Sequence, residues 1–109
     1  MGAFILLYKD IEQPTTDSER ADAAQAWAAW FAKLGPAVVD QGNPFDGAKT
    51  VNSDGSVTDG APSGLTGYSL IQANSLDEAA ELAKTCPILL KNTETLESSV
   101  EIHAIMPVM

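Results

Sequence analysis

The segment from Thr16 to Pro36 limits the possible folds of this chain more than any other part of it. Thr16-Asp17-Ser18-Glu19 is a capping box, in which the Thr hydroxyl and the Glu carboxylate satisfy backbone N–H groups left open at a helix start. Asp17 to Leu34 is alanine-rich and strongly helix-forming. Gly35-Pro36 stops it, because Gly tolerates a left-handed backbone and Pro cannot continue a helix. Ala23, Trp27, Trp30, Phe31 and Leu34 recur on one helical face, opposite Glu19, Asp22 and Lys33. At that spacing the aromatic residues read as core and not as a stacking platform. Such a helix needs a second apolar layer. The preceding run Ala3-Phe4-Ile5-Leu6-Leu7-Tyr8, short and almost continuously apolar, suits a buried central strand.

The same alternation recurs downstream. Ala37 to Asp40 is a short strand closed by the turn formers Gln41-Gly42-Asn43-Pro44. Lys49-Thr50-Val51 and Ser56-Val57-Thr58 flank Asn52-Ser53-Asp54-Gly55, which reads as a hairpin. Gly67 to Ala73 has the β-branched and aromatic content of a strand. Ser75-Leu76-Asp77-Glu78 is a second capping box, opening a helix whose buried stripe is Leu76, Ala79, Ala80 and Ala83 and which Cys86-Pro87 stops. Ile88 to Ser98 is polar and carries no assignment. Ser99 to Met106 alternates as a final strand, which Pro107 ends. Strand, helix, strand, hairpin, strand, helix, strand predicts one α+β domain over residues 1–109, a ferredoxin-like βαβ-repeat sandwich with an antiparallel sheet and two helices on one face. The other sheet face is too apolar to be left wet. A homodimer pairing two such faces, a dimeric α+β barrel, is the expected solution.

Charge and composition narrow the function. Among 109 residues, 15 Asp and Glu stand against 6 Lys and Arg, a net −9. A nucleic-acid binder needs cations to neutralise phosphates, and an anionic membrane would repel this chain, so neither partner is expected. Cys86 is the single cysteine and His103 the single histidine, which leaves no intrachain disulfide and no Cys/His zinc cluster. The acidic residues show no calcium-loop spacing. No cofactor or metal is expected. The longest apolar run, Ala26 to Ala32, is too short to span a membrane. No secretory signal is visible at the amino terminus, and a cytoplasmic location is expected.

Several segments, taken in order, resemble the YCII-related family and its DGPF branch. Asp54-Gly55-Ser56-Val57-Thr58-Asp59-Gly60 is similar to that family's strand and Asp-Gly element. Gly67-Tyr68-Ser69-Leu70-Ile71, Ser75-Leu76-Asp77-Glu78-Ala79 and Cys86-Pro87 resemble its strand, helix and stop. Ser99-Val100-Glu101-Ile102-His103-Ala104-Ile105-Met106 looks like its terminal strand, and Phe4 to Tyr8 and Val38-Val39-Asp40-Gln41-Gly42 also fit. The resemblance implies a dimeric α+β barrel. The chain departs from the family pattern at Asp59-Gly60-Ala61-Pro62, which lacks the Phe, and at His103, where the family has Arg. The His near the first helix in YciI-type members has no counterpart, so its pairing with an Asp is not carried over.

The candidate site residues follow from the strands. By alternation Glu101 and His103 share a face with Ile105, while Val100, Ile102 and Ala104 turn toward the helices. His103 is the one side chain whose ordinary pKa lies near neutrality, so a carboxylate beside it suits proton transfer or a polar ligand; the plain alternative is an interface hydrogen bond. Asp40 ends a strand, where the resemblance has an Asp near the cleft; its alternative is turn capping. Tyr8 and Tyr68 offer phenols beside apolar bodies, for a ligand or simply for packing. The expected function is binding of a small organic molecule in a cleft between the sheet and the dimer partner. The rivals are an isomerase-, lyase- or dehydratase-type enzyme using His103 as acid or base, oriented by Glu101 or Asp40, and a protein-interaction domain with a further exposed apolar patch. Cys86, at a helix carboxyl end where the dipole disfavours a thiolate, is not a candidate nucleophile.

Overall fold

A computed structural model describes residues 1–10, 15–89 and 98–106. Strand β1 (Gly2–Lys9) leads to helix α1 (Asp17–Leu34) and a 3-10 turn (Gly35–Ala37). Strands β2 (Val38–Asp40), β3 (Lys49–Val51), β4 (Val57–Asp59) and β5 (Gly67–Ala73) follow. Helix α2 (Leu76–Ala83), a 3-10 turn (Pro87–Leu89) and strand β6 (Ser99–Ile105) complete the order. Residues 90–97 of the unassigned stretch and Pro107 lie outside the described residues, as does Pro14.

Both capping boxes form. Thr16 Oγ1 accepts from Glu19 N at 3.1 Å and Ser75 Oγ from Glu78 N at 3.1 Å. Each glutamate reaches back one residue beyond its cap, Glu19 to Thr15 N and Glu78 to Asn74 N. Gly35 ends α1 at φ 58°, its N–H donating to Phe31 O. These contacts settle where each helix leaves the sheet.

The main sheet has the order β2-β5-β1-β6 with every neighbour antiparallel, while β3 and β4 pair apart as a hairpin. Counting only the four sheet strands, this is the split βαβ order of a ferredoxin-like fold. Phe4, Leu6 and Tyr8 of β1 and Ile71 and Ala73 of β5 are buried with Trp30, Leu34, Ala79 and Ala83 of the helices, and Cys86 and Ile88 close that core. Trp30 Nε1 donates to Thr85 Oγ1 at 3.0 Å, which ties α1 to the end of α2. Leu76, expected in the α2 stripe, is instead 50% exposed. It is the first residue of the helix and points away from the layer that Ala79 and Ala83 fill.

The opposite sheet face carries the other alternation. Ile5 stands between Leu70 and His103, and Leu7 between Tyr68 and Glu101. Neither helix covers these residues. The β3–β4 hairpin leaves Val51 and Val57, directly paired, largely exposed. No helix among the described residues is long and apolar enough to cross a membrane.

Candidate functional site

A cavity of about 500 Å³ opens at one end of the sheet, on its helix side. That volume falls within the range of small-molecule sites. Its floor is the end of β1 and the start of β5, with Tyr8, Gly67 and Ser69. Arg20, Trp27 and Phe31 of α1 form one wall, and the connection after β2 forms the other. Trp27 and Phe31 stand one helical turn apart and stay half-buried, so they pack on the core and face the cavity together.

The connection is pinned by its own chemistry. Asp40 Oδ1 accepts from Gly42 N at 2.8 Å, and Gly42 takes φ 74°. Ser69 Oγ donates to Gln41 O at 2.6 Å, and Phe45 N donates to Thr66 O at 2.8 Å. A Cβ on Gly67 would lie 3.2 Å from both Asn43 O and Pro44 Cα, so the loop backbone lies directly on β5. Thr66 joins β1 as well: its N–H donates to Tyr8 O at 2.6 Å, and its Oγ1 accepts from Asp10 N at 3.2 Å. A cavity wall held at this many points needs little reordering to receive a ligand.

Tyr8 is 4% exposed, and its hydroxyl has no hydrogen-bond partner among the described residues. Burial pushes this phenol far above its ordinary range. The neighbouring Ser69 hydroxyl, which donates to Gln41 O and keeps its oxygen free to accept, offsets that in part without a well-formed bond to the phenol. Tyr8 therefore keeps its proton at physiological pH and has one O–H to offer in a hydrogen bond. The Tyr8 ring meets Trp27 edge-to-face, with centroids 4.9 Å apart.

The five residues singled out from sequence are distributed over three places. Tyr8 and Tyr68 both border the cavity, although the Tyr68 ring stacks under Phe45 at 5.9 Å with 18° between planes. Asp40 lies behind the cavity wall and caps the turn. Glu101 and His103 are paired, Oε1 to Nε2 at 2.6 Å, on the open sheet face and outside this cavity; more than half of each side chain is exposed. Arg20, Trp27, Phe31 and Phe45 were not marked as site residues from sequence. The available signal was Arg20, the chain's single arginine, seven residues before Trp27 and so on the same helical face. Cys86 is fully buried, and burial pushes its thiol up to about 12.

No family model and no curated protein matches the chain. Among solved structures it is similar to 5-chloro-2-hydroxyhydroquinone dehydrochlorinase from Burkholderia phenoliruptrix, a structure in complex with 2,5-dihydroxybenzoquinone. The identity is 24%, 91% of this chain and 90% of that one are covered, and the TM-score is 0.50. At that identity the likeness is one of fold: the α+β arrangement of this chain is one that an enzyme of small aromatic molecules also uses.

Proposed function

We propose that this chain binds a small organic molecule with a flat, largely apolar body in the cavity beside Tyr8 and Trp27. The observation that carries this reading is the cavity itself: ligand-sized, walled by aromatic rings from α1 and backed by a loop pinned to β5. Aromatic walls favour a ring by burial and by offset or edge contacts, each worth about 0.5–1.5 kcal/mol beyond area. The related fold of a dehydrochlorinase holding a dihydroxybenzoquinone supports a ligand of this size and shape. The proposed family is YCII-related, with homodimerisation through the open face of Ile5, Leu7 and Leu70.

One observation favours a second reading. The Glu101–His103 contact of 2.6 Å is an acid–base pair that a second copy covering the sheet face would enclose. There His103 serves as general acid or base on a molecule held between the two sheets.

A thermal-shift screen of phenols, aromatic carboxylates and aliphatic metabolites separates the two. Binding to the folded state raises Tm as ligand concentration exceeds Kd. Hits confined to planar compounds, lost in Trp27→Ala and retained in His103→Ala, support the cavity. Hits lost in His103→Ala and retained in Trp27→Ala contradict it in favour of the second reading.

A further inference from the structure

The Tyr8 hydroxyl stands out among the polar groups described. Trp30 Nε1 has Thr85, Ser69 Oγ has Gln41 O and Thr66 Oγ1 has both Asp10 N and Tyr8 O. Only the Tyr8 hydroxyl is buried without a partner among the described side chains. An orphaned buried hydroxyl destabilises the protein that carries it, whereas a phenylalanine of the same shape would not. A group of this kind on a cavity wall has a role if a bound molecule completes it.

We infer, resting on the binding reading above, that the ligand class is a planar ring bearing an acceptor oxygen, a carbonyl, carboxylate or phenolate, which takes the hydrogen bond of the Tyr8 hydroxyl. Tyr8 keeps its proton, so its O–H needs an acceptor. Arg20, also on the cavity wall, gives Nη1 to Asp17 Oδ1 at 3.1 Å and keeps further N–H donors, while Asp10 on the same lining is an acceptor. The hydroxyl is shielded from solvent in this conformation, so a ligand oxygen reaches it only when a neighbouring side chain moves. Trp27, edge-on to the Tyr8 ring and only half-buried, is the wall residue whose rotation would open the hydroxyl to the cavity. A ring offering only donors can meet the phenol oxygen but leaves the Tyr8 O–H without an acceptor, so it binds more weakly.

The test uses two probes of one shape, benzoate and toluene, titrated into the parent and Tyr8→Phe by ligand-observed NMR. Tyr8→Phe is expected to raise the Tm of the ligand-free protein and to weaken benzoate binding roughly tenfold to a hundredfold, with toluene changed less than twofold. The opposite signs of these two effects are not what a Tyr with a purely structural role would give. Unchanged benzoate affinity in Tyr8→Phe, or a fall in ligand-free Tm, overturns the inference while leaving binding itself intact. Failure of both probes to bind the parent overturns the binding reading and the inference with it.

Discussion

The Tyr8 and Trp27 rings meet edge-to-face, 4.9 Å between centroids, and through this contact the central strand and the first helix share one wall of the cavity. Tyr8 belongs to the core and to the site at once. Changes to the fold near this contact should therefore be felt as changes in binding.

Gly42 holds the loop on the other wall. At φ 74° a Cβ there would lie 1.8 Å from Tyr68 O, a backbone atom that cannot give way. Gly42→Ala is expected to destabilise by more than about 2 kcal/mol, strain and displacement together, and to abolish ligand-induced thermal shifts. Gly47, at φ 96° with nothing within 4 Å, is the control; Gly47→Ala should cost about 1 kcal/mol. Urea denaturation of both variants checks the difference.

Trp30 is 4% exposed and hydrogen-bonds Thr85. Trp30→Ala is expected to cost about 3–5 kcal/mol through the cavity it leaves. Thr85→Val removes that acceptor together with the long 3.4 Å bond from Thr85 Oγ1 to Leu82 O, and should cost about 1–3 kcal/mol, chiefly by orphaning the indole N–H. Equal effects of the two substitutions in denaturant melts would contradict this division.

Alkaline stability follows from the two buried acids. Cys86 and Tyr8 both ionise later in the folded state than in the unfolded one. Their contribution is fully present below the unfolded thiol value of about 8.5–9 and is lost as pH rises, by about 1.4 kcal/mol per pH unit for each group then titrating. Stability should thus be level through pH 8 and fall above pH 9, with Tyr8 adding to the slope above about pH 10. Cys86→Ala should flatten the first part of that fall. A thiol this buried should also resist alkylation at pH 8 until the chain unfolds.

The open face gives a test of self-association. Leu70 lies opposite Ile5 at the centre of that face. Leu70→Glu is expected to convert a dimer to a monomer in light scattering, with little change in far-UV circular dichroism. A monomeric parent chain would contradict the proposed assembly.

Much of the fold was legible in short signals. Both capping boxes placed helix starts at the correct residue, and alternation put Val100 and Ile102 on one face of β6 with Glu101 and His103 on the other. Local hydrogen bonding and period-two geometry need only neighbours in sequence, which is why they could be read. The cavity needs Arg20, Trp27, Gly42 and Gly67 at once, from three separate segments: α1, the connection after β2, and the start of β5. Trp27 and Phe31 were read as core because helical spacing cannot distinguish a residue facing a filled interior from one facing a hollow in it. The orphaned Tyr8 hydroxyl is likewise invisible in sequence, since it depends on how the phenol sits against Ser69 in the folded chain.

The proposed ligand sits on the helix side of the sheet, beside Tyr8 and Trp27. The most direct measurement is a two-dimensional ¹H–¹⁵N spectrum of the labelled protein titrated with benzoate. The expected result is shifts concentrated at Gly42, Thr66, Gly67 and the Trp27 indole N–H, with Ile5, Glu101 and His103 unmoved. Shifts concentrated at Ile5, Glu101 and His103, with the Trp27 indole unmoved, would contradict the account and place binding on the open face.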